Sequence, residues 1–435
     1  MNKTQMNIKE FIKTSLDQLN FNDLTEVQAE VIPLALKGEN LIVQSQTGSG
    51  KTHSFLIPIF EKVDPQINEV QAVITAPSRE LAEQLFQVAI QIGQNSPEKI
   101  RIVKYFGGTD KQKQLEKLSV DNQPHIVIGT PGRIFDLMNE HALFVQTTRI
   151  FVVDEADMTF DLGFLTIVDE IASRMPEDLQ MMVFSATIPQ QVEVFLRKYM
   201  VGPKRIEIKN KEVISSTVKN YIINTKGKDP KELTYKLLTM GHPFLALVFA
   251  NTKQYADEVT NFLREKGLKV AKIHGDIESR ERNRVMKQIR NLEFQYVVAT
   301  DLAARGIDIP GTSLIINLEV PTDLEYFIHR VGRTGRNGQS GEAFTFVSPD
   351  DDQMISKLED KGISFIPVEL SNNEIKETHS RDRRKLRKNI GQTSENDTEI
   401  VRMIHQTKKK KVKPGYKRKL KQDIQSYKKK LNRKK

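Results

Sequence analysis

Eight consecutive residues near the start of the chain have the composition of a phosphate-binding loop. The apolar residues 41–43 are followed by Ser45-Gln46-Thr47-Gly48-Ser49-Gly50-Lys51-Thr52 and then by a helix-like segment at 52–63. Small residues let backbone N–H groups turn toward phosphate oxygens, and a helix N-terminus adds partial positive charge. In such a loop Lys51 would bridge the β- and γ-phosphates, and the Thr52 hydroxyl would ligate Mg²⁺. The alternative is a Gly-rich turn before a surface helix, because Ser45 replaces the usual first glycine.

An acidic cluster follows the apolar residues 150–153 directly. It reads Asp154-Glu155-Ala156-Asp157. A carboxylate at a buried strand end can hold Mg²⁺ opposite a phosphate loop, which suits Asp154, and its neighbour Glu155 could act as general base for the attacking water. Taken alone, the cluster could be an ordinary acidic helix cap. Its combination with Lys51 and Thr52 favours an ATPase site.

A basic motif near residue 330 has three arginines spaced by three. It reads His329-Arg330-Val331-Gly332-Arg333-Thr334-Gly335-Arg336. Taken alone it could be the basic end of a surface helix, but two glycines argue against that, since each costs about 1 kcal/mol in a helix interior. An arginine here, facing a nucleotide held by another domain, would act as an arginine finger.

The elements that position these motifs alternate between apolar strands and amphipathic helices. Residues 1–37 contain helical pieces, and strands are predicted at 41–43, 72–74, 102–103, 126–128, 150–153 and 182–184, with helices at 79–93 and 162–175. After a polar linker at 206–220, strands recur at 221–223, 245–249, 270–273, 296–299, 314–316 and 343–347. Continuous apolar strands separated by helices indicate parallel sheets covered on both faces. The sequence therefore predicts two α/β domains, at 38–205 and 221–370, with polar clusters at the carboxyl ends of their strands, where ligands bind.

Composition excludes several classes of protein and separates the chain into a body and a basic tail. There is no cysteine among 435 residues, which excludes disulfide scaffolds and thiolate metal sites. The sequence also lacks a signal peptide and any apolar run long enough for a membrane helix, so we expect a cytoplasmic protein. Residues 371–435 hold 23 Lys and Arg against 7 Asp and Glu, a net charge of +16, whereas the rest carries −6. This tail is predicted to be disordered and to bind a polyanion, with a solubilising arm as the alternative.

Together with the phosphate loop, these motifs and Ser185-Ala186-Thr187 resemble the DEAD-box family of RNA helicases, and they occur in the family's order. The resemblance covers about residues 11–370. It implies two tandem RecA-like domains with parallel sheets that close over ATP, Mg²⁺ and a single strand of RNA. The implied partners are structured or duplex RNA of any sequence and ribosomal or RNA-decay proteins, with no membrane.

The resemblance implies a role for each matching residue. The nucleotide would be bound by the residues of the phosphate loop, with Gln28 and Phe11 at the adenine and Asp308 at the ribose. Hydrolysis would depend on Glu155, Lys51, Arg333 and Arg336, and Mg²⁺ on Thr52 and Asp154. Closure would be coupled to RNA by Asp157, Ser185, Thr187 and His329. The RNA backbone would contact Pro77, Arg79, Gly108, Thr130, Arg133, Asn251, Thr252, Gly275, Arg282 and Thr300.

Four departures from the family's pattern bear on individual contacts. Asn20 and Leu24 stand where the family has Gly and Pro before Gln28, which affects the geometry of the adenine site. Ser279 replaces a Gln, and Phe327 replaces a Tyr. None of these changes affects Lys51, Glu155 or Arg333.

The sequence thus predicts an RNA-stimulated ATPase that separates short RNA duplexes locally. Ribosome assembly, mRNA decay and cold adaptation are all compatible with this activity. The main alternative is an ATP-gated RNA clamp, or a platform for RNA–protein remodelling, because the same core serves both. A processive DNA helicase is a weaker alternative, since no hairpin is inserted between the domains.

Overall fold

The computed structural model describes residues 6–378, apart from positions 20, 22, 47, 109, 209–213, 242, 302–310, 322, 336–338 and 372–373. Among the described residues, the chain divides into a larger compact unit, which runs to Ile366 and includes Glu374, and a smaller one, Pro367–Ser371 with residues 375–378. Three predicted site residues, Thr47, Asp308 and Arg336, lie outside the described residues. The predicted disordered tail lies outside them from residue 379 onward.

The first domain of the larger unit is built on a parallel sheet of seven strands. The strands are β1 (Leu41–Gln44), β2 (Ala72–Thr75), β3 (Ile102–Tyr105), β4 (Ile126–Gly129), β5 (Ile150–Val153), β6 (Gln180–Ser185) and β7 (Lys204–Glu207). Their order across the sheet is β3-β4-β2-β5-β6-β1-β7. Strands β2, β4, β5 and β6 are buried along their whole length, as expected for a sheet covered by helices on both faces.

Helices cover both faces of this sheet. They are α1 (Glu10–Gln18), α2 (Glu26–Leu36), α3 (Lys51–Lys62), α4 (Arg79–Gly93), α5 (Lys111–Leu115), α6 (Pro131–Asn139), α7 (Ala156–Asp161), α8 (Leu165–Ala172) and α9 (Gln190–Tyr199). The core on one face contains Phe55 and Phe60 of α3, and the core on the other contains Phe151 and Phe195. The sheet therefore holds the ends of its strands in fixed positions between two apolar layers.

The second domain of the larger unit repeats this arrangement. Its strands are β8 (Val218–Asn224), β9 (Ala246–Ala250), β10 (Val270–Ile273), β11 (Tyr296–Thr300), β12 (Leu314–Asn317) and β13 (Gly341–Val347). Its helices are α10 (Pro230–Met240), α11 (Lys253–Glu265), α12 (Ser279–Arg290), α13 (Leu324–Val331) and α14 (Asp352–Asp360), with a 3₁₀ turn at Pro349–Asp351. The strand order β10-β11-β9-β12-β13-β8 is that of the first sheet without β7. Two tandem RecA-like domains with parallel sheets are therefore confirmed.

Two boundaries differ from those predicted. Strand β7 continues to Glu207 and β8 begins at Val218, so both enter the predicted linker 206–220. Most residues of β14 (Ile366–Ser371) and β15 (Glu374–Glu377) belong to the smaller unit, and β15 shows that regular structure extends past residue 371, where the disordered tail was predicted to begin. Three strands, β7, β14 and β15, were not predicted, and two of them, β7 and β15, are mostly exposed and polar. Hydropathy does not reveal such strands, because backbone hydrogen bonds define them.

Among the described residues, no helix is long and apolar enough to cross a membrane.

Candidate functional site

The phosphate loop joins β1 to the N-terminus of α3. Gly50 caps that helix in the left-handed region, with φ +98°. A Cβ at this position would come within 2.6 Å of Gln28 Nε2 and 2.8 Å of Thr25 Oγ1, so glycine alone fits. The hydroxyls of Ser45 and Ser49 are 3.1 Å apart and tie the two ends of the loop together. Free N–H groups at the start of α3 make this end of the sheet suitable for an anion.

Lys51 and the acidic cluster come together at the carboxyl ends of β1 and β5. Lys51 Nζ donates to the Ser45 carbonyl at 3.1 Å and lies 3.1 Å from Glu155 Oε1. Burial by itself would lower the pKa of Lys51, but Glu155, Asp154 and Asp157 outweigh it and raise that pKa above its usual value. Lys51 is therefore a buried, fully charged cation.

The adjacent carboxylates Asp154 and Glu155 form a buried like-charge pair. Burial, followed by repulsion from Glu155, raises the pKa of Asp154 to about 7. Glu155 has a left-handed backbone, with φ +48°, and is 7% exposed. Oxygen donors of this kind, with the nearby Thr52 hydroxyl, match the ligands that Mg²⁺ prefers, and a divalent cation would relieve the repulsion between the carboxylates.

The predicted coupling residues of the first domain form one hydrogen-bonded cluster. The Asp157 N–H donates to Ser185 Oγ at 2.9 Å. Asp157 Oδ2 accepts from the Thr187 N–H at 3.0 Å and from its hydroxyl at 3.2 Å. Thr187 also lines a small cavity of about 200 Å³ with Ser45 and Gln46 of the phosphate loop. The end of β6 is thereby tied to the acidic cluster.

A cleft of about 930 Å³ brings residues of the second domain to this site. Lys51, Thr52, Asp154 and Glu155 line it from the first domain. From the second domain, His329 and Arg333 line it too. Arg333 is 7% exposed, and its Nε donates to the His329 carbonyl at 3.2 Å. The cleft thus holds a general-base candidate, a lysine and an arginine from different domains.

The two residues predicted to contact adenine do not line this cleft. Gln28 is 1% exposed, its Oε1 accepts from the Thr25 N–H at 2.9 Å, and its Nε2 donates to the Gly50 carbonyl at 3.0 Å. Phe11 packs edge-on against Phe60, with ring centroids 6.4 Å apart. Gln28 therefore supports the phosphate loop from behind, and the roles predicted for Gln28 and Phe11 at the base stay predictions.

A second cleft, of about 910 Å³, gathers most of the residues predicted to bind RNA. Those lining it are Pro77, Arg79, Thr130, Arg133, Asn251, Thr252, Gly275, Arg282 and Thr300. Gly108, the tenth, does not line the cleft, but its neighbour Gly107 does. Burial, followed by repulsion from Arg282 and Arg133, lowers the pKa of Arg79 from its usual value, with Glu80 acting in the opposite direction. This concentration of arginines suits a phosphate backbone.

Two residues that contact residues of the second cleft, Glu80 and Arg330, were not predicted as site residues. Glu80 forms an ion pair with Arg282 of the other domain. Arg330 is 1% exposed, donates to Asp301 Oδ2 at 2.7 Å and to Asn251 Oδ1 at 2.6 Å, and so holds Asn251 in place. The sequence offered one signal, namely that an arginine inside a helix-like apolar segment needs buried partners.

The comparisons with known proteins agree with this geometry. Residues 25–195 match the family model described as DEAD/DEAH box helicase, and residues 230–338 match the helicase conserved C-terminal domain. A DEAD-box ATP-dependent RNA helicase CshB of Listeria monocytogenes is 49% identical over 431 residues, covering 99% of this chain and 98% of that protein. The Bacillus subtilis protein of the same name is 47% identical over 427 residues, covering 98% and 96%. The solved structure of S. cerevisiae Dbp5 bound to RNA and ADP BeF3 superposes with a TM-score of 0.75 at 28% identity, covering 84% of this chain and 95% of that one.

Proposed function

The chain belongs to the DEAD-box family of ATP-dependent RNA helicases, and we propose that it separates short RNA duplexes locally by closing its two RecA-like domains over ATP and one RNA strand. The observation that carries this proposal is that both clefts are lined by both domains. A ligand in either cleft therefore favours the same closed arrangement, which couples the two binding events.

In the nucleotide cleft, the chain's own groups divide the work of hydrolysis. The phosphate loop and Lys51 hold and neutralise the phosphates, and Glu155 accepts the proton of the attacking water. Arg333 stabilises the charge that develops on the transferred phosphoryl group. Thr52 and Asp154 would hold Mg²⁺, which would neutralise part of the phosphate charge.

In the RNA cleft, arginines and backbone groups contact the sugar–phosphate chain of one strand. These contacts do not read base identity, so any sequence is accepted, and 2′-hydroxyl contacts distinguish RNA from DNA. Closure holds one strand in a shape that a duplex cannot keep, so its partner strand is released. The cluster of Asp157, Ser185 and Thr187 links the acidic residues to β6 and transmits closure.

The test uses a short RNA duplex with a single-stranded extension. We expect strand release that requires ATP and is lost when both strands are DNA. A gel-shift or fluorescence unwinding assay at excess enzyme measures it, with Glu155→Gln as the inactive control. Strand release without ATP, or equal release of DNA, would contradict the proposal.

A second function, an ATP-gated RNA clamp, is favoured by one contact. The ion pair between Glu80 and Arg282 crosses the RNA cleft and would slow reopening. The dwell time of labelled RNA on the protein, measured with ATP, separates the two functions. Dwell times much longer than one hydrolysis cycle would favour the clamp.

The cellular setting that we propose is ribosome assembly, mRNA decay or cold adaptation, with ribosomal or RNA-decay proteins as partners. All three settings present short, structured RNA to a protein of this kind. Crosslinking the protein to RNA in cells and sequencing the bound fragments identifies the targets. Fragments drawn mainly from ribosomal RNA support assembly, whereas fragments from mRNA support decay.

A further inference from the structure

The nucleotide cleft extends beyond the phosphate loop along α4, and the second domain supplies the opposite wall of this extension. Leu81 and Val88 of α4 line it from the first domain, and Phe244 and Leu292 line it from the second. Phe244 is 61% exposed and Leu292 is 52% exposed, although both side chains are large and apolar. Apolar side chains that are exposed on both walls of one cleft are typical of a surface that another surface covers.

The second domain holds its two apolar side chains in place at the cleft. The Phe244 N–H donates to Ser313 Oγ at 3.0 Å, and a Cβ at Gly311 would come within 2.6 Å of the Phe244 ring. Leu292 follows the end of α12 with a left-handed backbone, φ +58°, a conformation that glycine usually supplies after a helix. Such a conformation costs free energy in a leucine, and it persists where the surrounding structure requires it. Both side chains are therefore positioned before the cleft is filled.

The charges on the two walls are also complementary. Arg290, the last residue of α12, lines the extension opposite Glu83 of α4. Burial by itself would raise the pKa of Glu83, but hydrogen bonds from Lys104 and Gln87 outweigh it and lower that pKa. The positive charges of Lys104 and Arg290 act in the same direction as these hydrogen bonds. Attraction between a carboxylate and a guanidinium on opposite walls favours the approach of the walls.

The extension continues a contact that the two domains already make. Glu80, near the start of α4, pairs with Arg282, near the start of α12, in the RNA cleft. Val88 and Arg290 each lie eight residues further along these two helices, which is about 12 Å in an α-helix. The helices α4 and α12 thus both reach from the RNA cleft to the nucleotide cleft, one in each domain.

We propose that Phe244, Arg290 and Leu292 form a closing surface, which packs against α4 when the two domains close. The extension is then filled by the chain's own second domain. This inference rests on the proposed function and adds to it an interdomain contact that involves neither RNA nor the phosphates of the nucleotide. Such a contact stabilises the closed arrangement and so strengthens the coupling between the two ligands.

The first test measures RNA affinity with and without an ATP analogue. The full chain is titrated with a short labelled RNA strand, alone and with AMP-PNP, which is not hydrolysed. Phe244→Ser and Leu292→Ser should each weaken RNA binding about 10-fold with AMP-PNP, as for the loss of one buried apolar side chain. RNA binding without AMP-PNP should change much less, because the domains then close less. Val194→Ser is the control and should bind RNA as the unmodified chain does, since Val194 is 65% exposed on α9 and lines neither cleft.

The second test concerns the charges. Arg290→Glu places negative charges on both walls and should weaken RNA binding with AMP-PNP about 3- to 10-fold. The same substitution should have a smaller effect in a Glu83→Gln background, because the wall of α4 then has no carboxylate at this position to repel it. Arg284→Glu makes the same change of charge on the same helix and should have little effect, because that side chain is 72% exposed and pairs with Glu281.

Each outcome bears on the inference separately from the proposed function. Unchanged RNA affinity with AMP-PNP in both serine variants would overturn the inference and leave the proposed function intact. Equal weakening in Val194→Ser, or equal weakening with and without AMP-PNP, would also overturn it. An effect of Arg290→Glu that is the same in the Glu83→Gln background would overturn the contribution of the charges. If the unmodified chain bound RNA equally well with and without AMP-PNP, the proposed function would fail and the inference with it.

Discussion

Glu155, at the carboxyl end of β5, combines several features that each cost free energy. Glu155 is buried, lies beside another carboxylate and has a left-handed backbone. Its 3.1 Å contact with Lys51 balances part of this charge and fixes the direction of its carboxylate. Strain of this kind persists where the surrounding structure requires it, and functional sites are the usual place. The conformation of Glu155 is thus consistent with the role of a positioned base.

Replacement of Glu155 by Gln should stop hydrolysis while preserving binding. The amide keeps the shape of the side chain but cannot accept a proton, so RNA-stimulated ATP turnover should fall about 10²- to 10⁴-fold. Phosphate release measures turnover, and ATP and RNA titrations measure binding. Glu140→Gln, at an exposed carboxylate paired with Lys111, should leave all three unchanged. Phosphate release at the unmodified rate would rule out Glu155 as the base.

At this scale the sequence predicts residue types better than it predicts their neighbours. The phosphate loop, the acidic cluster and the basic motif are local patterns, so their residues could be named in advance. The contact between Glu80 and Arg282 and the contacts of Arg330 join distant parts of the chain. Such contacts depend on how the domains face each other, which no local pattern records.

The elements around the phosphate loop are held together by side chains as well as by the sheet. The start of α2 lies behind the loop, since Gln28 donates to the Gly50 carbonyl and accepts from the Thr25 N–H. This arrangement leaves no room for a side chain at Gly50. The N-terminus of α3 is consequently fixed against α2 before any nucleotide binds.

Replacement of Gly50 by Ala should destabilise the loop more than its backbone conformation alone explains. A left-handed alanine costs about 1–2 kcal/mol, and the new methyl group would also displace Gln28 and Thr25. Gly267→Ala is the matched control, because Gly267 has φ +87° and open space around it. Denaturant unfolding should show a larger loss for Gly50→Ala, by about 1 kcal/mol or more, as expected for overpacking. Equal losses would show that the packing of α2 against the loop is unimportant.

Elements with strong hydropathy signals agree closely with the sequence, and weaker ones do not. The predicted helix 79–93 has both of its ends at the observed ends of α4, whose amphipathic pattern is clear. The predicted helix 162–175 is observed only over Leu165–Ala172, because a turn that includes Gly163 precedes it and turn hydrogen bonds replace helical ones after Ala172. Strand β7 was missed because its residues alternate with charges at the edge of the sheet and depend on pairing with β1.

The whole molecule presents two clefts that open between the same two domains. The duplicated strand order explains why each domain contributes strand-end residues to a shared site. Motif order and the family resemblance predicted that these residues would meet. The volumes of the clefts and the apolar extension along α4 could not be predicted, since they depend on the fit between two separately folded sheets.

Removal of the basic tail should weaken RNA binding without affecting basal hydrolysis. Because β15 ends at Glu377, the cut belongs after Thr378, and it removes 22 basic and 5 acidic residues. Cations release counterions from RNA, so affinity should fall and its dependence on salt should flatten. RNA titrations at two salt concentrations measure both effects. Unchanged affinity and salt slope would instead favour a solubilising arm or a protein partner.

The unfavourable backbone conformation of Glu155 and its repulsion from Asp154 have a consequence for protein engineering and for evolution. Glu155→Gly would break the ion pair with Lys51, but Asp154 and Asp157 would still compensate that lysine's charge. The substitution would also relieve the left-handed strain and the repulsion from Asp154, so the free energy of unfolding without ligand should stay level or increase. A search for heat-resistant variants that did not also require ATP turnover would therefore favour inactive proteins. Selection for activity has to act continuously on this position, because selection for stability alone would remove the glutamate.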